Sequence, residues 1–173
     1  SLAVWDGRTA SICQSIHPNH PLQVNSYEGT LTGLYFNSLG KAILAALPEQ
    51  EAENFIDVEM NAFTPNTITN LNDLKKHLMI IRQAGVAFDD EEGFQGVRGM
   101  AAVFHNNTGS IAGAITILGP SVRLTREQTR ELTPFVKDCA EKISKALGYT
   151  HQAGRGQSIP GKAAGQTPAV RQR

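Results

Sequence analysis

The sequence predicts an α+β domain in which a mainly antiparallel sheet is flanked by helices, and three observations carry that expectation. A hairpin signature opens the chain, a second hairpin lies past its centre, and helical periods separate and follow them, giving the order β-β-β-α-α-α-β-β-β-α. At 173 residues, 40% of them hydrophobic, the chain suits about one domain with a core of its own.

The first hairpin joins Leu2–Trp5 to Arg8–Gln14 through Asp6-Gly7, the dipeptide that supplies the positive φ values of a two-residue turn. A hairpin that opens directly on Ser1 suggests a fragment of something longer. Pro21 to Asn25 reads as a third strand. Asn37 or Ser38 then caps a helix over Leu39 to Leu47, because a short side-chain oxygen accepts one of the N–H groups left unpaired at a helix start. Pro48 ends that helix, and Glu49, Gln50 and Glu51 suit the first turn of another. Gly40, in the first turn, costs roughly 1 kcal/mol against alanine and calls for a reason in packing or in binding.

Thr64 to Asn70 is a polar turn, and Asn70 with Asp73 starts a helix over Leu71 to Ala84 that ends at Gly85. Leu71, Leu74, Leu78 and Ile81 fall on one face of it. Two apolar strands follow, Val97–Phe104 and Ile111–Leu118, joined by the turn residues of 105–109. Gly99 and Gly113 interrupt them, a sign of bends or of close approach by a ligand or a backbone. The last helix starts at Thr125 with Gln128 as capping-box partner and carries Leu132, Phe135, Val136, Cys139, Ile143, Ala146 and Leu147 inward. Pro134 is placed to kink its first turns, and Gly148 stops it. Residues 150–173, rich in Gly, Gln, Ala, Pro and Arg without period, read as a disordered tail.

Charge and composition exclude several functions. The formal net charge is zero and the pI about 6.9, which leaves no electrostatic footprint for nucleic acid or an anionic membrane. No apolar run approaches the ~20 residues of a membrane span and no leader pattern opens the chain, so a cytoplasmic location is expected. Two cysteines, Cys13 and Cys139, fit reduced and mostly buried thiols rather than a disulfide framework.

Three candidate chemistries have plainer explanations. Gly156 to Lys162 fits the phosphate-loop pattern G-x-x-x-x-G-K, but no apolar strand precedes it, no helix follows, and Ala163 stands where a hydroxyl should hold magnesium. Cys13, His17 and His20 could ligate zinc only with a fourth ligand, and their spacing fits a polar turn better, with Cys13 as a small buried residue. The acidic run Asp89-Asp90-Glu91-Glu92 is mostly a solvated loop, with room for one member to point inward. No nucleophile system and no cofactor motif stands out, so the chain is not expected to be an enzyme.

Taken in order, six stretches resemble the effector-binding domain of IclR-type transcriptional regulators. They are Ser38 to Ala45, Thr64 to Thr69, Gly85 to Asp89 with Glu92, Gly96 to Ala102, Ala114 to Pro120, and Ile143 to Gly148. The resemblance spans residues 2 to 149. It implies a GAF-like (profilin-like) fold, a pocket for a small organic effector such as a carboxylic or aromatic acid, and assembly into dimers or tetramers. DNA would be reached only through an N-terminal winged helix-turn-helix that this chain lacks. It also implies a binding site: helix-start N–H groups at Ser38, Leu39 and Gly40 that receive a carboxylate without a buried lysine or arginine, Asp89 facing the pocket, Val24 and Val97 as apolar wall, and Gly99, Thr116 and Leu118 as floor. The sequence departs from the family at Gly33 and Tyr35, where proline and histidine are frequent, at Gly99, often cysteine, and at Leu118, often serine. Those changes imply a roomier, less polar pocket than one fitted to a very small keto acid. Two other classes stay open: an enzyme reusing the cleft, and an oligomerisation module whose cavity is filled by Tyr35 and Phe36.

Overall fold

Every strand pairing among the described residues is antiparallel. The computed structural model describes residues 1–56 and 59–150; the tail beyond them, with its Gly156–Lys162 motif, lies outside the described residues. Six strands form one sheet in the order β3-β2-β1-β6-β5-β4. These are β1 (Leu2–Trp5), β2 (Ala10–Gln14), β3 (Leu31–Thr32), β4 (Ala87–Asp90), β5 (Val97–His105) and β6 (Ile111–Pro120). The chain's first strand therefore sits in the interior of the sheet, beside β6.

Helices cover both faces, so the central strands read as nearly continuous apolar runs. On one face lies α1 (Ser38–Ala46), with α3 (Leu71–Ala84) packed against it and the short α2 (Glu49–Glu53) at its end. Ile43, Leu44, Leu74 and Leu78 meet Ala3, Trp5, Ala101 and Ala114 there. On the other face α4 (Arg126–Ala146) sets Val136 and Ala140 against Met100, Ala102 and Phe104. Small residues on the α1 side of β5 and β6 let that helix lie close to the sheet.

The helix ends follow the expected chemistry. Asn37, not Ser38, caps α1, its side chain accepting the Gly40 N–H at 2.9 Å. Asn70 caps α3 and Gly85 closes it in the left-handed region at φ 69°. Thr125 and Gln128 form the capping box of α4, which runs unbroken through Pro134.

Four expectations are corrected. The first hairpin turns through residues 6–9, since Trp5 already pairs with Ala10; the Asp6 carboxylate accepts the Arg8 and Thr9 N–H groups and makes a four-residue loop more favourable than a two-residue turn. Pro21 to Asn25 is irregular, and the third strand is Leu31–Thr32, paired with β2. Cys13 is exposed rather than buried and donates to the Leu2 carbonyl. Phe135 and Ala146 on α4, Leu147 at its C-cap and Leu71 on α3 are exposed, because the covered stripe of α4 runs through Thr129, Val136, Ala140 and Ser144.

Candidate ligand pocket between the start of α1 and the sheet

A cavity of about 280 Å³ opens between the first turn of α1, the 24–33 loop and the ends of β4, β5 and β6. That volume is just below the ~300–1,000 Å³ usual for small-molecule sites. Of the residues expected to form a site, Val24, Ser38, Leu39, Asp89, Val97, Thr116 and Leu118 line it. Ile12, Tyr27, Leu31, Phe36 and Phe94 supply further apolar wall. Of these, Phe36 was expected at the cavity only as a side chain that fills it; Tyr27 and Phe94 come from irregular segments, Leu31 from the two-residue edge strand and Ile12 from β2, with no periodicity to single them out.

Gly40 and Gly99 do not line the cavity. A Cβ on Gly40 would sit 2.2 Å from the Gly33 carbonyl oxygen and 2.4 Å from the Leu34 Cα, so this glycine lets the 33–34 backbone cross the helix. Its N–H is already taken by the Asn37 cap. The expected consequence is that Gly40→Ala, facing backbone that cannot move aside, lowers stability by about 3 kcal/mol in urea denaturation. At Gly99 a Cβ would meet Leu118 Cδ2 at 2.5 Å and Ser38 Oγ at 2.8 Å. The space that glycine frees is thus taken by those two side chains, and the pocket is not enlarged there.

Polar groups converge at one end. Asp89 pairs with Gly99 across β4 and β5, so its side chain shares the face over which Ser38 Oγ lies. Ser38 Oγ is 3.3 Å from Thr116 Oγ1, and Thr116 in turn donates to the Met100 carbonyl at 3.0 Å. Helix geometry leaves the Ser38 and Leu39 N–H groups without intrahelical acceptors, and the cap satisfies only Gly40. Asp89 is 3% exposed, and Glu92 N donates to its Oδ1 at 2.8 Å. Burial, with the Glu92 carboxylate nearby, pushes the Asp89 carboxyl up to about 6, against the opposing pull of the Glu92 N–H and Lys41.

Behind this polar end stands an ion pair that the sequence reading did not foresee. Lys41, fully buried on α1, donates to both oxygens of Glu92 at 2.5 and 2.6 Å. Two members of the acidic run thus point inward, Asp89 and Glu92, and a buried lysine lies close to the site after all. The signal was present: Lys41 interrupts the apolar run from Leu39 to Ala45 at a position whose neighbours are all core. Asp90 faces outward to Arg98 and Arg126. Tyr35 points into the core and donates to the Asn61 carbonyl, while Phe36 forms a wall without closing the cavity.

Among the described residues, no group of three His, Cys, Asp or Glu side chains has the geometry to hold a metal ion. His20 is engaged through Nδ1 by the Leu22 backbone. No helix of the described residues is long and apolar enough to cross a membrane.

Comparison with known proteins gives this geometry its context. Residues 1–145 match the family profile described as bacterial transcriptional regulator IclR C-terminal. The chain is 31% identical over 149 residues to the HTH-type transcriptional repressor AllR of Escherichia coli K12, covering 86% of this chain and 55% of that protein. Its fold superposes on the crystal structure of the Thermotoga maritima IclR with a TM-score of 0.79 at 33% identity, covering 86% of this chain and 60% of the other. The C-terminal domain of the E. coli transcriptional regulator KdgR gives 0.72 at 27% identity, with 86% of each chain covered. The chain spans about half the length of the curated relatives it matches.

Proposed function

Because this chain belongs to the IclR family of bacterial transcriptional regulators and corresponds to its C-terminal domain, we propose that the cavity at the start of α1 binds a small organic acid. We propose further that its occupancy governs DNA binding by an N-terminal winged helix-turn-helix outside this chain. The observation that carries the reading is the meeting, in one apolar-walled cavity, of the first-turn N–H groups of α1 with Ser38, Thr116 and Asp89. Helix-start N–H groups favour a carboxylate. The lining contains no lysine or arginine among the described residues, so the acid is held by dipoles and hydrogen bonds rather than by a cation.

Asp89 sets the pH dependence. A ligand carboxylate next to an ionised Asp89 is repelled, so the two share one proton when both are buried. Binding of a monocarboxylic acid should be strongest below pH 6 and weaken about tenfold per pH unit above it. A thermal-shift screen of small aliphatic and aromatic acids at pH 5.5, repeated at pH 7.5, is the test, since ligand binding to the folded state raises its melting temperature. No stabilising acid at either pH contradicts the reading. The curated relatives are named as transcriptional repressors, which favours a sensor over an enzyme. Self-association into dimers or tetramers, as a regulator reading two half-sites requires, belongs to the same proposal.

A further inference from the structure

Lys41 and Glu92 touch no part of the cavity, yet each stands three residues from one of its polar groups. Lys41 follows Ser38 by three residues on α1, one helical turn, and Glu92 follows Asp89 by three at the end of β4. The ion pair therefore bridges the same two segments whose polar groups a ligand would engage, one layer further back. The turn carrying Glu92 is held by Lys41 on one side and by the hydroxyls of Thr64 and Thr67 on another. Thr64 Oγ1 donates to the Glu91 carbonyl and Thr67 Oγ1 to the Glu92 carbonyl, each at 2.6 Å. Glu91 occupies the left-handed region at φ 62°, a conformation that persists only where the surroundings over-determine it. The end product of this bracing is the Glu92 N–H, held 2.8 Å from Asp89 Oδ1.

A buried ion pair is a poor source of stability, because desolvation offsets most of the attraction, and matched apolar side chains often serve as well. What it does supply is a fixed distance and direction between two segments. We propose that the Lys41–Glu92 pair is the positioning device of this cavity, holding the Asp89 carboxyl against the first turn of α1 although neither residue contacts the ligand. The proposal rests on the ligand-site reading, but the placement of Asp89 can be tested without any ligand. The charges facing Asp89 are those of Glu92 and Lys41; Asp90 points to the opposite side toward Arg98 and Arg126. His77, on α3 near Lys41, is held neutral by burial and by that lysine, so it adds no charge to the group.

The experiment is a carbon-detected NMR titration of the Asp89 carboxyl in the full chain and in the double variant Lys41→Met with Glu92→Met. At Asp89 the raising effect of the Glu92 carboxylate exceeds the lowering effect of Lys41, so with both charges removed a merely structural pair predicts an unchanged or lower midpoint in a folded double variant. Positioning predicts a midpoint higher by about one pH unit, as the Glu92 N–H swings away from the carboxylate it stabilised. Thr67→Val, which removes the shorter of the two hydroxyl bonds to the Glu92 carbonyl and keeps both charges and the 3.2 Å bond from Thr64 Oγ1, should raise the midpoint by a smaller amount. It keeps the test decisive if the double variant does not fold. A parental midpoint in Thr67→Val, or in the folded double variant, overturns the proposal. Any acid found to stabilise the parent should bind the double variant at least about tenfold more weakly at pH 5.5, and parental affinity there also overturns it. A midpoint that rises while no acid binds the parent upholds the positioning and refutes the ligand site, so the two failures are distinguishable.

Discussion

Lys41→Met alone should destabilise the domain by about 3–5 kcal/mol at pH 7, while the double variant with Glu92→Met should return to within about 1 kcal/mol of the parent. The asymmetry follows from what each change leaves behind. The single substitution strands the Glu92 carboxylate in a site where only a few per cent of its surface meets solvent. That carboxylate then either stays ionised without its partner or takes up a proton at a pH nearly three units above its ordinary midpoint, which at 1.36 kcal/mol per unit costs about the same amount. The double variant leaves no charge to desolvate, and methionine adapts to the space that remains. Urea denaturation of the two singles and the double gives the coupling directly, and independent contributions from Lys41 and Glu92 would contradict the account.

Asp89→Asn is expected to have the opposite sign. The Asp89 carboxyl is raised from its ordinary 3.8 to about 6 by burial, so the folded chain holds its proton more tightly than the unfolded chain. A raised carboxyl of this kind contributes stability that is complete below pH 3.8 and is lost as pH rises through 6. Above that, the folded state carries a penalty of up to about 3 kcal/mol. Asparagine keeps the shape and still accepts the Glu92 N–H, but it does not ionise. The variant should therefore exceed the parent in stability at pH 8 by up to about 3 kcal/mol, with the difference closing between pH 6 and pH 4. Parallel urea titrations across that range check it, and a variant less stable than the parent at pH 8 would show that the ionised form is the one the fold prefers. Such a cost to the fold is what the proposed ligand site would entail, with a polar group placed for a ligand and not for the core.

Much of the fold was legible because it rests on local chemistry. The caps at Asn37, Asn70 and Thr125, the break at Pro48 and the stop at Gly85 are each set by one or two residues, and the helices follow from them. The edge of the sheet was not legible in the same way. Leu31–Thr32 is a strand of two residues whose partner, β2, lies some twenty residues earlier, and Pro21 to Asn25, where Leu22 and Val24 alternate with polar residues, is irregular. Phe135 and Leu147 have the spacing of core residues, but the covered stripe of α4 passes beside them, and nothing local fixes which of two adjacent stripes is buried.

At the site, the resemblance to the family pointed to Ser38, Asp89, Val97, Thr116 and Leu118, and these line the cavity. The glycines misled, because a glycine that admits a ligand and one that admits a neighbouring backbone look alike in sequence; at Gly40 the neighbour is the 33–34 backbone. The Lys41–Glu92 pair was hidden for a different reason. Its members are 51 residues apart, and a charge in a sequence is assigned to solvent until its partner is known.

The central claim is that the cavity at the start of α1 holds a small acid, and calorimetric titration of the most stabilising acid from the screen into the parent and into Val97→Trp tests it most directly. Val97 lines the cavity at the start of β5, on the same face as Gly99 and Ala101, so an indole there occupies the space the ligand needs. The account predicts one site per chain in the parent at pH 5.5, an affinity about tenfold weaker for each pH unit above 6, and no measurable heat of binding in the folded Val97→Trp variant. Parental affinity in that variant would contradict it and place the acid elsewhere on the domain.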